Sequence, residues 1–257
     1  MSAPSPQRTP VLFQAGTSAR GLRFAGQHAE GIFIGARTPE AARDASRKLR
    51  QAAVDAGRRP EDIKIYVGVA VVPGRTEAEA RAKYAEYLAH ASPEGGLAHF
   101  AASTGVDFAK YGLDEPIAFG NTNAIQSAAQ AAQQQGLTTR CKLLEQFSLG
   151  SRYTTIVGDA SQVADELERW IDVGEIDGFN LTRIVVPETW EDFANLVVPE
   201  LQNRGRYRTQ YTEGSFREKL FGQGDHLPDR HPAARTRRSR SVPAEAAPAP
   251  QSVEETA

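Results

Sequence analysis

The alternation of short apolar runs with amphipathic stretches constrains the fold of this chain more than any other feature of its sequence. Strands are predicted at 11–16, 31–35, 64–72 and 178–181, and a further apolar run lies at 154–158. Most of these runs are rich in Val, Ile and Phe and lack polar alternation, which is typical of strands buried on both faces. Strands that alternate with helices form parallel sheets, so the sequence predicts an α/β fold.

Local signals mark the helices between these strands. Thr38 stands before Pro39, so the threonine is expected to cap a helix whose first residue is proline. Asp159 and Gln162 have the spacing of a capping box, in which each side chain accepts from the other residue's backbone N–H. Pro199 falls inside the last long helical stretch and is expected to distort it, because proline has no N–H to donate.

Two segments depart from the alternation. From residue 76 to about residue 150 the pattern is helical and rich in Ala and Gln, which predicts a long helical insertion before the last strand. The segment 233–257 is rich in Arg, Ser, Pro and Ala and poor in large apolar residues, so a disordered tail is predicted there. Residues 1–232 are accordingly expected to form one domain.

Composition narrows the class of protein. The 30 Lys and Arg against 32 Asp and Glu leave a formal net charge of -2, which disfavours a nucleic-acid partner. Cys141 is the single cysteine and fits a reducing compartment, and no stretch has the length of a membrane span or the apolar core of a signal peptide. We therefore expect a cytoplasmic protein without a membrane partner. The five histidines lack the spacing of a metal site, so no metal is expected.

The loop Gly-Thr-Ser-Ala-Arg-Gly at 16–21 is the candidate for binding. It lacks the GK[ST] ending of a P-loop and the glycine spacing of a dinucleotide fold, and it is one residue longer than the GxSxG nucleophile elbow. Two interpretations remain open. The loop is an ordinary helix cap, or the backbone N–H groups and the hydroxyls of Thr17 and Ser18 hold a phosphate at the positive end of the following helix. Spacing alone indicates no catalytic constellation.

Five stretches, taken in order, resemble one known family. They are VLFQAGTSARG, FAGQHAEGIFIG, TEAEARAKYAEY, IVGDASQVADELERW followed by DGFNLT, and VVPELQNRGRYRTQY. Together they are similar to the second half of the luciferase-like flavin monooxygenases, in the branch that contains the nitrilotriacetate, EDTA and dibenzothiophene-sulfone monooxygenases. The resemblance covers roughly residues 8–232.

The resemblance implies a fold, a cofactor and a reaction. The family is a TIM barrel that holds FMN at the carboxyl ends of its strands, with a QAG-x-S loop near the flavin phosphate. By resemblance, Ser18 with Thr17 and Gly16 would contact that phosphate, although barrels generally bind phosphate after strands 7 and 8. Reduced FMN, supplied by a separate flavin reductase, would react with O2 so that one oxygen atom enters a small organic substrate.

The chain departs from the family in its number of strands. The runs at 11–16, 31–35, 64–72 and 178–181 correspond to strands 5 to 8, so the expected fold is the C-terminal half of a (β/α)8 barrel. Four strands cannot close such a barrel, and apolar edges and inner faces are expected to be exposed. Three interpretations follow: a split enzyme whose N-terminal half is another polypeptide, a homo-oligomer that completes its own barrel, or a truncated form, which we favour. A competing hypothesis is a non-catalytic remnant or partner subunit without flavin chemistry.

Overall fold

The computed structural model describes residues 5–16, 18–118, 132–133, 136–149 and 153–236. The strands are β1 Phe13–Ala15, β2 Gly31–Ile34, β3 Lys64–Gly74, β4 Thr154–Asp159 and β5 Gly178–Thr182. The helices are α1 Ala19–His28, α2 Pro39–Asp55, α3 Glu77–Ala89, α4 Pro93–Thr104, α5 Arg140–Gln146, α6 Ala160–Gly174, α7 Glu188–Asp192, α8 Val198–Asn203 and α9 Phe216–Phe221, with a π-helical turn Phe193–Val197 between α7 and α8. Short 3-10 turns lie at Pro60–Asp62, Phe108–Lys110 and Pro232–Thr236.

All strand pairings in the described sheet are parallel, as the sequence predicts. β1 pairs with β2, β2 with β3, and β3 with β5, so the four strands that match the predicted set are neighbours in that order. Each consecutive pair is joined through at least one helix, which is the connection that parallel strands need. The α/β fold class is therefore confirmed.

The sheet contains five strands, one more than the family count predicts. β3 has 11 residues, and β2 covers only its first part, where Gly31 to Ile34 pair with Lys64 to Val67. β4 pairs with the same strand from Val69 onward. Since β5 takes the opposite edge of β3, β2 and β4 share one edge, end to end. The helical insertion thus precedes β4 rather than leading directly into the last strand.

One face of the sheet packs against α1, α2 and α6. The shared core consists of alternate residues of β2 and β3 together with apolar residues of these helices: Ile32, Ile34, Ile65, Val67, Ala25, Leu49, Val163, Leu167 and Trp170, all buried. Trp170 is fully buried, and its indole N–H donates to Glu166 at 3.0 Å, so the ring brings no unpaired donor into the core. Burial of these apolar side chains stabilises the packing of α1, α2 and α6 against the sheet.

The opposite face of the sheet carries aromatic rings. Phe13, Phe33 and Tyr66 alternate with the core residues of their strands and contact one another, with ring centroids 5.2 to 5.9 Å apart. Gly31 makes room for them, because a Cβ there would lie 2.4 Å from the Phe13 ring. Phe13 is 40% and Phe33 37% exposed. The expected exposure of this face is therefore present among the described residues.

The helix ends follow the local signals. Thr38 Oγ1 accepts from Ala41 N at 3.2 Å, and the Asp159–Gln162 capping box forms with distances of 2.9 and 3.0 Å. The π-helical turn ends just before Pro199, where the missing N–H interrupts the regular helical bonding. The predicted caps and the predicted distortion are confirmed.

The helical insertion has a small core of its own. It is built by α4, α5 and the turn at Phe108–Lys110, and its buried residues are Leu97, Phe100, Val106, Phe108, Ile117, Ala132, Leu143 and Phe147. The two helices approach closely, since a Cβ on Gly96 would lie 1.9 Å from the Phe147 carbonyl oxygen. Residues 119–131 and 134–135 of the insertion lie outside the described residues, as do 237–257 of the predicted tail. No helix in the described ranges is long and apolar enough for a membrane crossing.

Candidate cofactor-binding site

The loop at 16–18 follows β1 and leads into α1, at the edge of the sheet where parallel strands end. Gly16 has φ +125°, a conformation that side chains rarely adopt, and it turns the chain away from β1. A Cβ on Gly21 would lie 2.9 Å from the Gly16 carbonyl oxygen, so the first turn of α1 packs directly on the loop. Gly16 and the first turn of α1 are therefore in close contact.

Ser18 is the N-cap of α1. Its Oγ accepts from Gly21 N at 3.1 Å, and its carbonyl oxygen accepts from Leu22 N at 2.7 Å. The hydroxyl hydrogen of Ser18 is not used by this cap, and the side chain is exposed. The first interpretation of the loop, a helix cap, is thus confirmed for Ser18. The geometry also leaves Ser18 able to donate to an anion.

The electrostatics of this helix start suit an anion. α1 has 10 residues and no acidic residue in its first turn, whereas Arg20 and Arg23 are exposed on it. Within the described part of the chain, the N–H groups of Ala19 and Arg20 have no hydrogen-bond partner, which is usual for the first turn of a helix. Gly16 and Ser18 therefore lie at the positive end of a helix, beside N–H groups to which no described residue bonds. Thr17, the third predicted residue, lies outside the described residues.

A large cavity opens at the carboxyl end of β5, and sequence reasoning missed it. Its volume is about 1070 Å³, and its walls come from the ends of α3 and β5 and from the insertion. The lining includes Tyr87, His99, Tyr153, Arg183 and Glu188. Because all strands are parallel, this cavity and the loop at 16–18 lie at the same end of the sheet. No motif marks these residues, since they come from segments far apart in the sequence.

Hydrogen bonds fix one wall of this cavity. The Tyr87 hydroxyl donates to Glu188 Oε2 at 2.7 Å, and burial together with this carboxylate raises the pKa of Tyr87. Lys83 Nζ donates to Asp192 at 2.7 Å and lies 3.5 Å from Glu188. Burial opposes the charge of Lys83, but the carboxylates outweigh it and raise its pKa. At neutral pH Tyr87 is therefore a fixed donor rather than a group that exchanges protons.

Arg183 is the cation of this cavity that is not held by a carboxylate. It follows β5 directly, its side chain is exposed, and no ion pair involves it among the described residues. The described residues contain no group of three or more His, Cys, Asp or Glu placed to bind a metal. The chemistry available at this end of the sheet is thus hydrogen-bond donation by Ser18, hydrogen-bond acceptance by the Tyr87 oxygen, and positive charge at α1 and Arg183.

Known proteins share this sequence and fold. The model of the family described as luciferase-like monooxygenase matches residues 1–175. Dimethyl-sulfide monooxygenase of Hyphomicrobium sulfonivorans is 44% identical over 91% of this chain and 50% of its own length. Nitrilotriacetate monooxygenase component A of Aminobacter aminovorans is 33% identical over 84% of this chain and 49% of its own length. The chain thus spans about half the length of these relatives.

A solved structure of a relative has the same fold as this chain, and the chain again covers about half of it. A riboflavin lyase crystallised with modified FMN and the substrate riboflavin superposes with a TM-score of 0.84 and 34% identity. The match covers 93% of this chain and 53% of that protein. Nearly all of this chain therefore corresponds to about half of a flavin-binding relative.

Proposed function

Because the chain belongs to the luciferase-like monooxygenase family, we propose that it supplies one half of a monooxygenase that uses reduced FMN and O2 to oxidise a small organic substrate. The observation that carries this proposal is the 44% identity with a monooxygenase over 91% of the chain, together with a loop at 16–18 that suits a phosphate.

The residues of the loop fit the phosphate of FMN. Gly16 admits a ligand close to the backbone, and the N–H groups of Ala19 and Arg20 with the Ser18 hydroxyl are donors for phosphate oxygens. Thr17, though outside the described residues, belongs to the same proposed set by its position in the sequence. When bound, the reduced flavin supplies the activation of O2, and the protein positions it and excludes water.

The cavity at the carboxyl end of β5 is the proposed place for the organic substrate. Ligand pockets usually measure about 300–1,000 Å³, and this cavity is slightly larger than that range. Residues of α4 form part of its wall, so the insertion would shape the access of substrate and water to it. Tyr87 and Arg183 would orient a polar group of the substrate.

The proposed architecture is the C-terminal half of a barrel, with β1, β2, β3 and β5 as strands 5 to 8. It is supported by the order of these strands, by the packing of α1, α2 and α6 on one face, and by the half coverage of the relatives. In this arrangement the exposed ring of Phe13 and the open edges of β1 and β5 would meet the other half. That half would be another polypeptide segment of the family or a second copy of the chain. The competing proposal is a non-catalytic remnant or partner subunit without flavin chemistry.

Further partners and the location follow from the same proposal. A flavin reductase would deliver the reduced cofactor, in keeping with the name of the relative that is component A of a monooxygenase. A cytoplasmic location would give access to such a reductase.

A comparison of FMN with riboflavin tests the proposed phosphate site, because the two differ by the phosphate alone. We expect the chain to bind FMN more tightly than riboflavin in a fluorescence titration, with the mass of the species followed by light scattering. Ser18→Asp keeps a good N-cap but places a negative charge in the site, so it should lower the affinity for FMN by about tenfold or more and leave riboflavin unaffected. Ser92→Ala removes a matching cap at α4, where Ser92 Oγ accepts from Gly95 N at 3.1 Å, and should leave the preference unchanged. Equal affinity for the two flavins would overturn the proposal.

A further inference from the structure

A buried ion pair joins the C-terminal segment to the start of β1. Arg217 on α9 and Glu30 before β2 are 187 residues apart in sequence, and their side chains are 2% and 4% exposed. Arg217 Nε donates to Glu30 Oε1 at 2.8 Å and Nη2 to Glu30 Oε2 at 2.9 Å. The two planar groups therefore meet in a bidentate contact, which fixes their relative orientation.

The same two side chains also bind the backbone that precedes β1. Arg217 donates to the carbonyl oxygens of Thr9 and Pro10, each at 2.9 Å, and Glu30 Oε2 accepts from Leu12 N at 3.0 Å. The backbone N–H of Glu30 donates in turn to the Leu12 carbonyl oxygen at 2.8 Å. Residues 9 to 12 are thus held at four points immediately before the strand that ends in the loop at 16–18.

β1 needs such an anchor because its own pairing is short. It has three paired residues and contacts one neighbouring strand, β2, in the described sheet. Register is weakly specified in a short edge strand, and a slip of two residues would move the following loop by about 6.6 Å. A displacement of that size would carry Gly16 and Ser18 out of reach of any ligand bound at this end of the sheet.

Glu30 ties this anchor to the centre of the sheet. Its carbonyl oxygen accepts from the backbone N–H of Lys64, the first residue of β3, at 2.8 Å. A buried ion pair contributes little net stability, because desolvation of the two charges offsets their attraction, but it does specify one geometry. The arrangement therefore suits a positioning role better than a stabilising one.

We infer that Glu30 and Arg217 are a positioning pair that sets the register of β1 and, through it, the place of the anion-binding loop at the opposite end of the strand. This inference rests on the proposed phosphate site for its functional readout. The C-terminal segment therefore acts on the proposed cofactor site indirectly, because it holds β1 at the end of the strand opposite to the loop.

Arg217→Lys and Glu30→Gln test the pair in the full chain. Both substitutions remove the bidentate contact without inserting an apolar group of different shape. We expect the preference for FMN over riboflavin to fall by about tenfold or more, with the riboflavin affinity unchanged, because only the phosphate contacts depend on the loop. Amide hydrogen exchange at residues 12–15 should accelerate in the same variants, and this readout needs no flavin.

Arg230→Gln is the matched control. Arg230 forms a bidentate pair with the buried Asp62, in which Nε donates to Oδ2 at 2.6 Å. Among the described residues, no hydrogen bond joins Arg230 to residues 9–12. It should lower thermal stability and leave both the flavin preference and the exchange at residues 12–15 unchanged. If wild type shows no preference, the phosphate site fails. If the wild-type chain prefers FMN, and Arg217→Lys keeps both that preference and slow amide hydrogen exchange at residues 12–15, the positioning role is wrong.

Discussion

At the scale of single residues, Ser18 combines a structural and a proposed binding role through different atoms of one hydroxyl. The oxygen accepts from Gly21 N at 3.1 Å, and the hydrogen is available to a ligand. The sequence could not separate a cap from a phosphate loop, because both require small residues and a hydroxyl at a helix start. Substitutions that keep one role and remove the other can separate them.

The capping role predicts a difference in stability between two Ser18 variants. Ser18→Ala should lower the free energy of unfolding by about 1 kcal/mol, whereas Ser18→Asp should leave it nearly unchanged, because aspartate caps as well as serine. Urea denaturation followed by circular dichroism measures both values. Equal destabilisation by the two variants would mean that the hydroxyl is needed for something other than the cap.

His231 gives the protein a pH-sensitive contact. It is 1% exposed, with Nε2 3.0 Å from the His28 carbonyl oxygen and Nδ1 accepting from Ala233 N at 3.2 Å. These bonds fit the neutral ring with its hydrogen on Nε2. Burial lowers the pKa of His231, Arg58 and His28 act in the same direction, and the bond to His28 and the charge of Glu30 oppose them.

The lowered pKa of His231 determines how the stability of the fold changes with pH. As the pH falls below about 6.5, the unfolded chain takes up a proton that the folded chain resists, so stability decreases. Above that pH both states are neutral and the contribution is complete. His231→Gln should flatten the loss of unfolding free energy between about pH 7.5 and 5.5. An unchanged slope in His231→Gln would contradict this assignment.

At the scale of elements, local signals determine where helices begin, and non-local contacts determine how strands pair. Thr38, Pro39 and the Asp159–Gln162 pair predict their helix starts because each cap depends on residues within one turn. The pairing of β4 with the far half of β3 could not be predicted, since it depends on the length that β2 leaves uncovered. The Glu30–Arg217 contact could not be predicted either, because the two residues are 187 positions apart in the sequence.

The crossing of α1 and α2 gives a prediction at this scale. A Cβ on Gly26 would lie 2.3 Å from the Ala52 carbonyl oxygen, so Gly26→Ala would force the helices apart. We expect a loss of about 1–3 kcal/mol in unfolding free energy despite the better helix propensity of alanine. Gly35→Ala is the control, because no heavy atom lies within 4 Å of its Cβ position. Thermal unfolding of both variants checks this, and equal midpoints would show that the two helices can shift without cost.

At the scale of the whole molecule, the predicted family membership is confirmed and the proposed half-barrel defines what to test. The order of five stretches was specific enough to identify the family, whereas the large cavity at β5 was not predictable because its walls come from segments distant in sequence. The aromatic face with Phe13 and Phe33 and the two open strand edges are where a second half would bind.

The most direct measurement is complementation with the first half of dimethyl-sulfide monooxygenase of Hyphomicrobium sulfonivorans, the relative that is 44% identical to this chain. The two polypeptides are mixed, the mass is measured by light scattering, and bound FMN is quantified by absorbance. We expect a complex of one copy of each with one FMN, and Phe13→Asp should prevent its formation by placing a charge on the buried contact face. The absence of a complex would contradict the half-barrel account.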